Sequence, residues 1–89
     1  MHNWKLSEHL QGVMKKLSKR DKTLYEQLLK KINGIITCEN VEHYKNLRYN
    51  MKDSKRVHID HFVLVFQYDV PIDMINFDDF DHHDNIYNK

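Results

Sequence analysis

Lys55-Arg56-Val57-His58-Ile59-Asp60-His61-Phe62-Val63-Leu64-Val65-Phe66 is the stretch that decides the fold. In its first half Val57 and Ile59 alternate with Arg56, His58 and Asp60. That period of two predicts a strand with one covered face and one open face, and it puts Arg56 and His58 together on the open one. The second half, Phe62-Val63-Leu64-Val65-Phe66, is apolar at every position, as a central strand covered on both faces requires. Asp60-His61 between them is short enough for a hairpin turn. Further along, Ile75 and Phe77 alternate with Asn76 and Asp78, which predicts a third strand reached through the short connection 69–73. Short connections imply an antiparallel meander.

Upstream the periodicity is helical. Leu10, Val13, Met14 and Leu17 form one apolar stripe with Ser7 available as N-cap. After the polar break Ser18-Lys19-Arg20-Asp21, a second stripe runs through Leu24, Leu28, Ile32, Ile35 and Ile36, and Asp21 is placed to cap it. Lys15, Lys16, Lys19, Lys22, Lys30 and Lys31 supply the polar surface of this pair, which a short turn forces to pack antiparallel. Residues 4–6 add an edge strand, with Trp4 read as a buried edge residue. The sequence therefore predicts an α+β fold, with an N-terminal helical hairpin packed on one face of a small antiparallel sheet, in one domain spanning 1–89.

Composition narrows the function. Cys38 is the sole cysteine, so no internal disulfide is possible and a reducing compartment fits best. The run from Phe62 to Phe66 is far too short to cross a bilayer, and His2, Asn3 and Trp4 do not begin a signal-peptide core. A cytoplasmic protein with no membrane contact is expected. The net charge of +1 hides a polarity: residues 1–58 carry 13 Lys/Arg against 6 Asp/Glu, whereas residues 59–89 carry 1 against 7. A basic segment of that kind suits an anionic partner.

The open face of the first strand offers Arg56 and His58; Lys45, Arg48, Lys52 and Lys55 precede them, and the chain end offers His82, His83 and Tyr87. Imidazoles, cations and a phenol on one surface are what RNA cleavage without a metal needs: a base for the 2′-hydroxyl, an acid for the leaving 5′-oxygen, and positive charge for the phosphorane. Tyr87 or Tyr44 offers a ring for a splayed base to stack on. Asp81-His82-His83-Asp84 has metal-ligand chemistry, but adjacent side chains cannot easily chelate one ion, so neither metal nor cofactor is expected. Tyr25, Tyr49 and Tyr68 are read as core residues and Cys38 as structural.

The order and spacing of His43-Tyr44-Lys45-Asn46-Leu47, Lys55-Arg56-Val57-His58-Ile59, Phe62-Val63-Leu64-Val65-Phe66-Gln67-Tyr68 and Asp79-Phe80-Asp81-His82-His83-Asp84-Asn85-Ile86-Tyr87 resemble the RelE/ParE toxin superfamily over nearly the whole chain. The closest likeness is to its RelE and YafQ-like ribonuclease branch. The resemblance implies the toxin of a type II toxin-antitoxin system, an endoribonuclease (mRNA interferase) that cuts messages at the ribosome, leaves a 2′,3′-cyclic phosphate and needs no metal. It implies a cognate antitoxin as partner, and operator DNA only as the toxin-antitoxin complex. Carried over position by position, Arg56 and His58 fall on the strand that holds active-site groups, Lys45 precedes it at a position often polar or basic, and His83 and Tyr87 match the terminal histidine and aromatic positions; His58, His83, Arg56 and Tyr87 are therefore expected to be catalytic, and Lys45, Lys52, Lys55 and His82 to contact RNA. Which of His58 and His83 is acid and which base stays open, as does whether His82 or His83 faces the site. One departure is Val63, where many relatives carry an arginine. The same fold also hosts gyrase poisons, and a degenerate module that only binds antitoxin or operator is the further alternative; the histidine-rich site favours the ribonuclease.

Overall fold

The computed structural model describes residues 1–44, 46–48 and 51–87. In chain order the elements are β1 (Asn3–Leu6), α1 (Glu8–Arg20), α2 (Lys22–Ile36), a 3-10 turn (Val41–His43), β2 (Asn46–Arg48), β3 (Met51–Ile59), β4 (Phe62–Asp69), a second 3-10 turn (Val70–Ile72), β5 (Met74–His82) and α3 (His83–Tyr87). The helical hairpin forms where its capping residues put it. Ser7 Oγ accepts from the Leu10 N–H at 3.0 Å, and Asp21 accepts from the Leu24 N–H at 3.1 Å. Asp21 also closes α1 by donating its own N–H to the Leu17 carbonyl, so one residue ends the first helix and starts the second. Glu8 in the first turn of α1 and Lys19 and Arg20 in its last complement the helix dipole.

Five strands form one sheet in the order β1-β5-β4-β3-β2. The β2 to β5 part is the expected antiparallel meander, but β1 runs parallel to β5, with Trp4 opposite Ile75 and Leu6 opposite Phe77. The sheet is therefore mixed. Its direction follows from where α1 must begin. The Ser7 N–H donates to the Phe77 carbonyl at 2.9 Å and Ser7 Oγ to the Asp78 carbonyl at 2.6 Å, which fixes the end of β1 beside the middle of β5. Alternation in a sequence reports a strand's faces, not its direction. Trp4 differs from expectation as well: it is 47% exposed, because β1 is the outermost strand of the sheet.

The core fills the space between hairpin and sheet. Leu10, Leu28 and Ile35 from the helices meet Leu64, Phe66, Ile75 and Phe77 from β4 and β5, all fully buried. Tyr25, Tyr44 and Tyr68 pack at its margin. A second, smaller cluster lies apart from it: Val63 and Val65 are covered by Ile86 of α3, with Tyr87 alongside.

A β-bulge in β5 makes that second cluster possible. Val65 pairs with Asp79 but Phe66 pairs with Phe77, so Asp78 is the extra residue. Before the bulge Ile75 and Phe77 enter the main core; after it, Phe80 does, opposite Leu64. The same shift pairs Asp79 and Asp81 with Val65 and Val63 on the other face. Simple alternation ends the apolar pattern at Phe77, whereas the strand continues to His82.

Candidate active site

The four residues expected to be catalytic come together where β3, β4 and α3 meet. Register places Arg56 opposite Val65 and His58 opposite Val63. Because Val63 and Val65 form the seat for Ile86, α3 is held directly over this end of the sheet. His83, the first residue of α3, is pinned by its N–H donating to the His61 carbonyl at 2.8 Å. The result is a stack: His58 and His83 rings have centroids 5.7 Å apart at 28°, and His83 and Tyr87 rings 4.5 Å apart at 42°. The Arg56 guanidinium lies 5.9 Å from the centre of the Tyr87 ring, and its Nη1 donates to His58 Nδ1 at 3.3 Å. Arg56 Nε is buried and makes no hydrogen bond among the described residues. Val63 is fully buried beneath Ile86, an environment that suits its apolar side chain.

The electrostatics single out His58. Partial burial, the Arg56 guanidinium and the neighbouring His83 all hold its pKa below the ordinary histidine value, burial contributing most. His58 is therefore neutral at pH 7 and keeps one ring lone pair. With Arg56 donating to Nδ1, that lone pair is the one Arg56 occupies.

His82 points elsewhere. It pairs with Phe62 across the sheet, and its ring lies 5.7 Å from that of Phe62 and 6.3 Å from that of His61. Asp84 donates its N–H to His82 Nδ1 at 3.3 Å. The bulge thus answers which of the adjacent histidines joins His58: it is His83. Lys55 is near but engaged, donating to the Tyr44 carbonyl at 3.2 Å and more distantly to that of Glu42 at 3.4 Å. Lys45 and the side chain of Lys52 lie outside the described residues. Tyr44 rests edge-on against Phe66 with centroids 5.5 Å apart, and burial pushes its phenol pKa up, so it belongs to the core margin first. Asp81 accepts from the His82 N–H at 2.7 Å and from the Asn85 amide at 3.0 Å, holding the turn into α3. Among the described residues no three His, Cys, Asp or Glu side chains are grouped as metal ligands.

One polar cluster gave no local signal in the sequence. His2 donates from Nδ1 to Asp73 at 2.5 Å and from Nε2 to the Cys38 carbonyl at 2.5 Å, and Tyr68 donates to the same carboxylate oxygen at 2.8 Å. These contacts raise the His2 pKa and lower that of Asp73, the hydrogen bond between the two side chains being the main cause of each shift. They tie the start of β1, the end of α2 and the β4–β5 turn together. Partners 71 residues apart are invisible to local periodicity.

No protein-family model matches the chain. A Methanocaldococcus jannaschii protein named "Putative toxin RelE4" is 49% identical over 90 aligned positions that cover all of this chain and 94% of that protein. An uncharacterised protein of Methanosarcina mazei is 43% identical over 88, covering 98% of this chain and all of its own length. In structure, the chain resembles a chain in the crystal structure of the toxin-antitoxin complex RelBE2 of Mycobacterium tuberculosis, with a TM-score of 0.60 at 13% identity, covering 91% of this chain and 96% of that one. At that identity the likeness is one of fold.

Proposed function

The chain belongs to the RelE toxin family, and from that premise we propose that it is the toxin of a type II toxin-antitoxin pair, acting as a metal-independent endoribonuclease on messages bound to the ribosome. The observation that carries the reading is the convergence of Arg56, His58, His83 and Tyr87 on one exposed end of the sheet. Nothing in the packing of the main core needs two histidines and an arginine there, whereas strand cleavage needs a base, an acid and a cation within one phosphate's reach.

In the proposed reaction the scissile phosphate draws Arg56 away from His58. That movement frees the Nδ1 lone pair of a histidine already held neutral, so the cation that stabilises the phosphorane also releases the base when substrate arrives. His58 takes the 2′-hydroxyl proton, the 2′-oxygen attacks phosphorus, and the bond to the 5′-oxygen breaks as that oxygen takes a proton from His83. The products are a 2′,3′-cyclic phosphate and a 5′-hydroxyl. Tyr87 stacks on or orients a base, a role its ring supports by lying against His83. Lys45, Lys52 and Lys55 contact flanking phosphates. His82 takes no part in proton transfer in this scheme. The partners are the cognate antitoxin, the ribosome with its message, and operator DNA through the toxin-antitoxin complex, and the reaction takes place in the cytoplasm.

Expression of the chain without antitoxin tests this against the gyrase-poison alternative. Protein synthesis is expected to stop before DNA synthesis, since an enzyme acting on messages needs few copies. DNA double-strand breaks appearing first, with translation continuing, would replace the ribonuclease with a gyrase poison.

A further inference from the structure

The catalytic cluster has a neighbour that it does not use. A groove of about 570 Å³ runs between α2 and the final residues of β3, with Gln27, Lys30, Lys31 and Gly34 on the helix side and Tyr44 and His58 opposite. It exists because β2 pairs with β3 only as far as Asn46 opposite Lys55 among the described residues, so the end of β3 forms an open edge of the sheet. Gly34 keeps the helix wall low: a Cβ there would meet nothing within 4 Å. An exposed glycine in the last turn of α2 lowers helix propensity, yet here it leaves the groove open.

His58 belongs to both places. It stacks on His83 over the sheet face and also borders the groove, so a strand held at the catalytic cluster has a direct exit across His58. Lys30 and Lys31 are exposed, and neither forms an ion pair among the described residues. Among the described residues Asp60 is the one carboxylate on the groove wall, and its side chain is 74% exposed at the tip of the β3–β4 turn with His61 at 3.8 Å. Two cations against one solvated carboxylate leave the groove favourable to anions. At the opposite end of the sheet the exposed Asp69 closes β4, so phosphates leaving the site meet repulsion in that direction and attraction in this one.

Resting on the ribonuclease reading above, we propose that this groove is an RNA subsite, in which Lys30 and Lys31 hold phosphodiesters of the strand flanking the scissile phosphate, or of ribosomal RNA beside it. Both sources present the same chemistry, and they separate by whether an isolated strand suffices.

The test uses the whole protein and two 2′-O-methyl oligoribonucleotides, uncleavable because the nucleophile is blocked, three and nine nucleotides long. Fluorescence anisotropy measures affinity at several salt concentrations, and purified programmed ribosomes form a third arm. The variants are Lys30→Gln/Lys31→Gln, and Gly34→Leu, which fills the groove without touching a charge; circular dichroism confirms folding. With the message as source, wild type binds the nine-mer about tenfold more tightly than the three-mer, and both variants erase that advantage. Two lost single-strand phosphate contacts should lower the log-log salt slope by about 1.4. With ribosomal RNA as source, the variants weaken ribosome binding about tenfold and leave both oligonucleotides unaffected. Wild-type affinity and salt slope retained by both variants in all three arms would overturn the subsite while leaving cleavage by His58 and His83 standing. Conversely, a protein that binds RNA through Lys30 and Lys31 but cuts no message keeps the subsite and loses the ribonuclease. If wild type itself binds neither oligonucleotides nor ribosomes, both fall.

Discussion

Ile86→Ala separates the clasp that assembles the site from the core that folds the protein. Ile86 is 5% exposed and closes the cluster of Val63 and Val65, carrying His83 and Tyr87 into place. α3 has five residues, too few to be helical in isolation, so its position depends on this packing. The substitution removes three carbons, roughly 2.4 kcal/mol at ~0.8 kcal/mol per buried carbon, and a residual cavity adds to that. A change of that size shifts the docked-to-undocked ratio of α3 by about fifty-fold. The main core of Leu64, Phe66, Ile75 and Phe77 is a separate cluster and stays packed. Hydrogen exchange of the His83 amide, which donates to the His61 carbonyl, reads the docking directly and should speed up by about that factor. Cleavage of ribosome-bound message, measured alongside, should fall with it while the far-ultraviolet spectrum is preserved. Unchanged protection at His83 would refute the clasp, and near wild-type cleavage with α3 opened would refute its place in the site.

Three further outcomes follow from the same geometry. The acidic limb of kcat/KM should lie below 6.5, the ordinary histidine value, since His58 is depressed and serves as base in its neutral form; Arg56→Gln removes a cause of that depression, so the limb of its residual activity should move to higher pH, and a limb that stays or moves down contradicts the assignment. His2, with its pKa raised, adds stability that is full below 6.5 and lost as pH rises through its folded value, while Asp73, lowered, adds stability present above 3.8 and lost as pH falls through its folded value. Both operate together between those two values, so thermal melts of wild type should weaken from pH 6 to pH 8 more than those of His2→Gln, and superimposable pH profiles would remove the clamp. Asp21→Ala should cost about 1 kcal/mol through the lost cap on α2, or roughly 4–8 °C in Tm, and an unchanged Tm would contradict the capping role.

The parts of the fold legible in the sequence were those set by local pattern. Ser7 and Asp21 marked the helix starts, the stripes of α1 and α2 named their buried faces, and alternation through Val57 and Ile59 assigned Arg56 and His58 to one face. The direction of β1 and the exposure of Trp4 depend on the order of strands in space, which periodicity does not encode. The bulge at Asp78 left a faint trace, the apolar spacing of two and then three through Ile75, Phe77 and Phe80, and that single irregularity puts Asp79 and Asp81 on the open face and leads the chain into α3. Within the site, residue types and family likeness point to His58, His83, Arg56 and Tyr87, but the seat of Ile86 on Val63 that gathers them is tertiary. The groove along α2 had no sequence signal beyond two lysines on a solvated helix face and a glycine without an evident reason.

The most direct measurement of the central claim maps the ends of a message after purified protein meets programmed ribosomes, for wild type, His58→Ala and His83→Gln. Wild type should cut within the ribosome-bound codon, leaving a 2′,3′-cyclic phosphate and a 5′-hydroxyl, and should continue in the presence of a chelator selective for transition metals. Each histidine variant should stay folded, since neither side chain belongs to a hydrophobic core cluster, and should lose at least a hundredfold in rate. An intact message with wild type, or near wild-type cutting by both variants, would contradict the account.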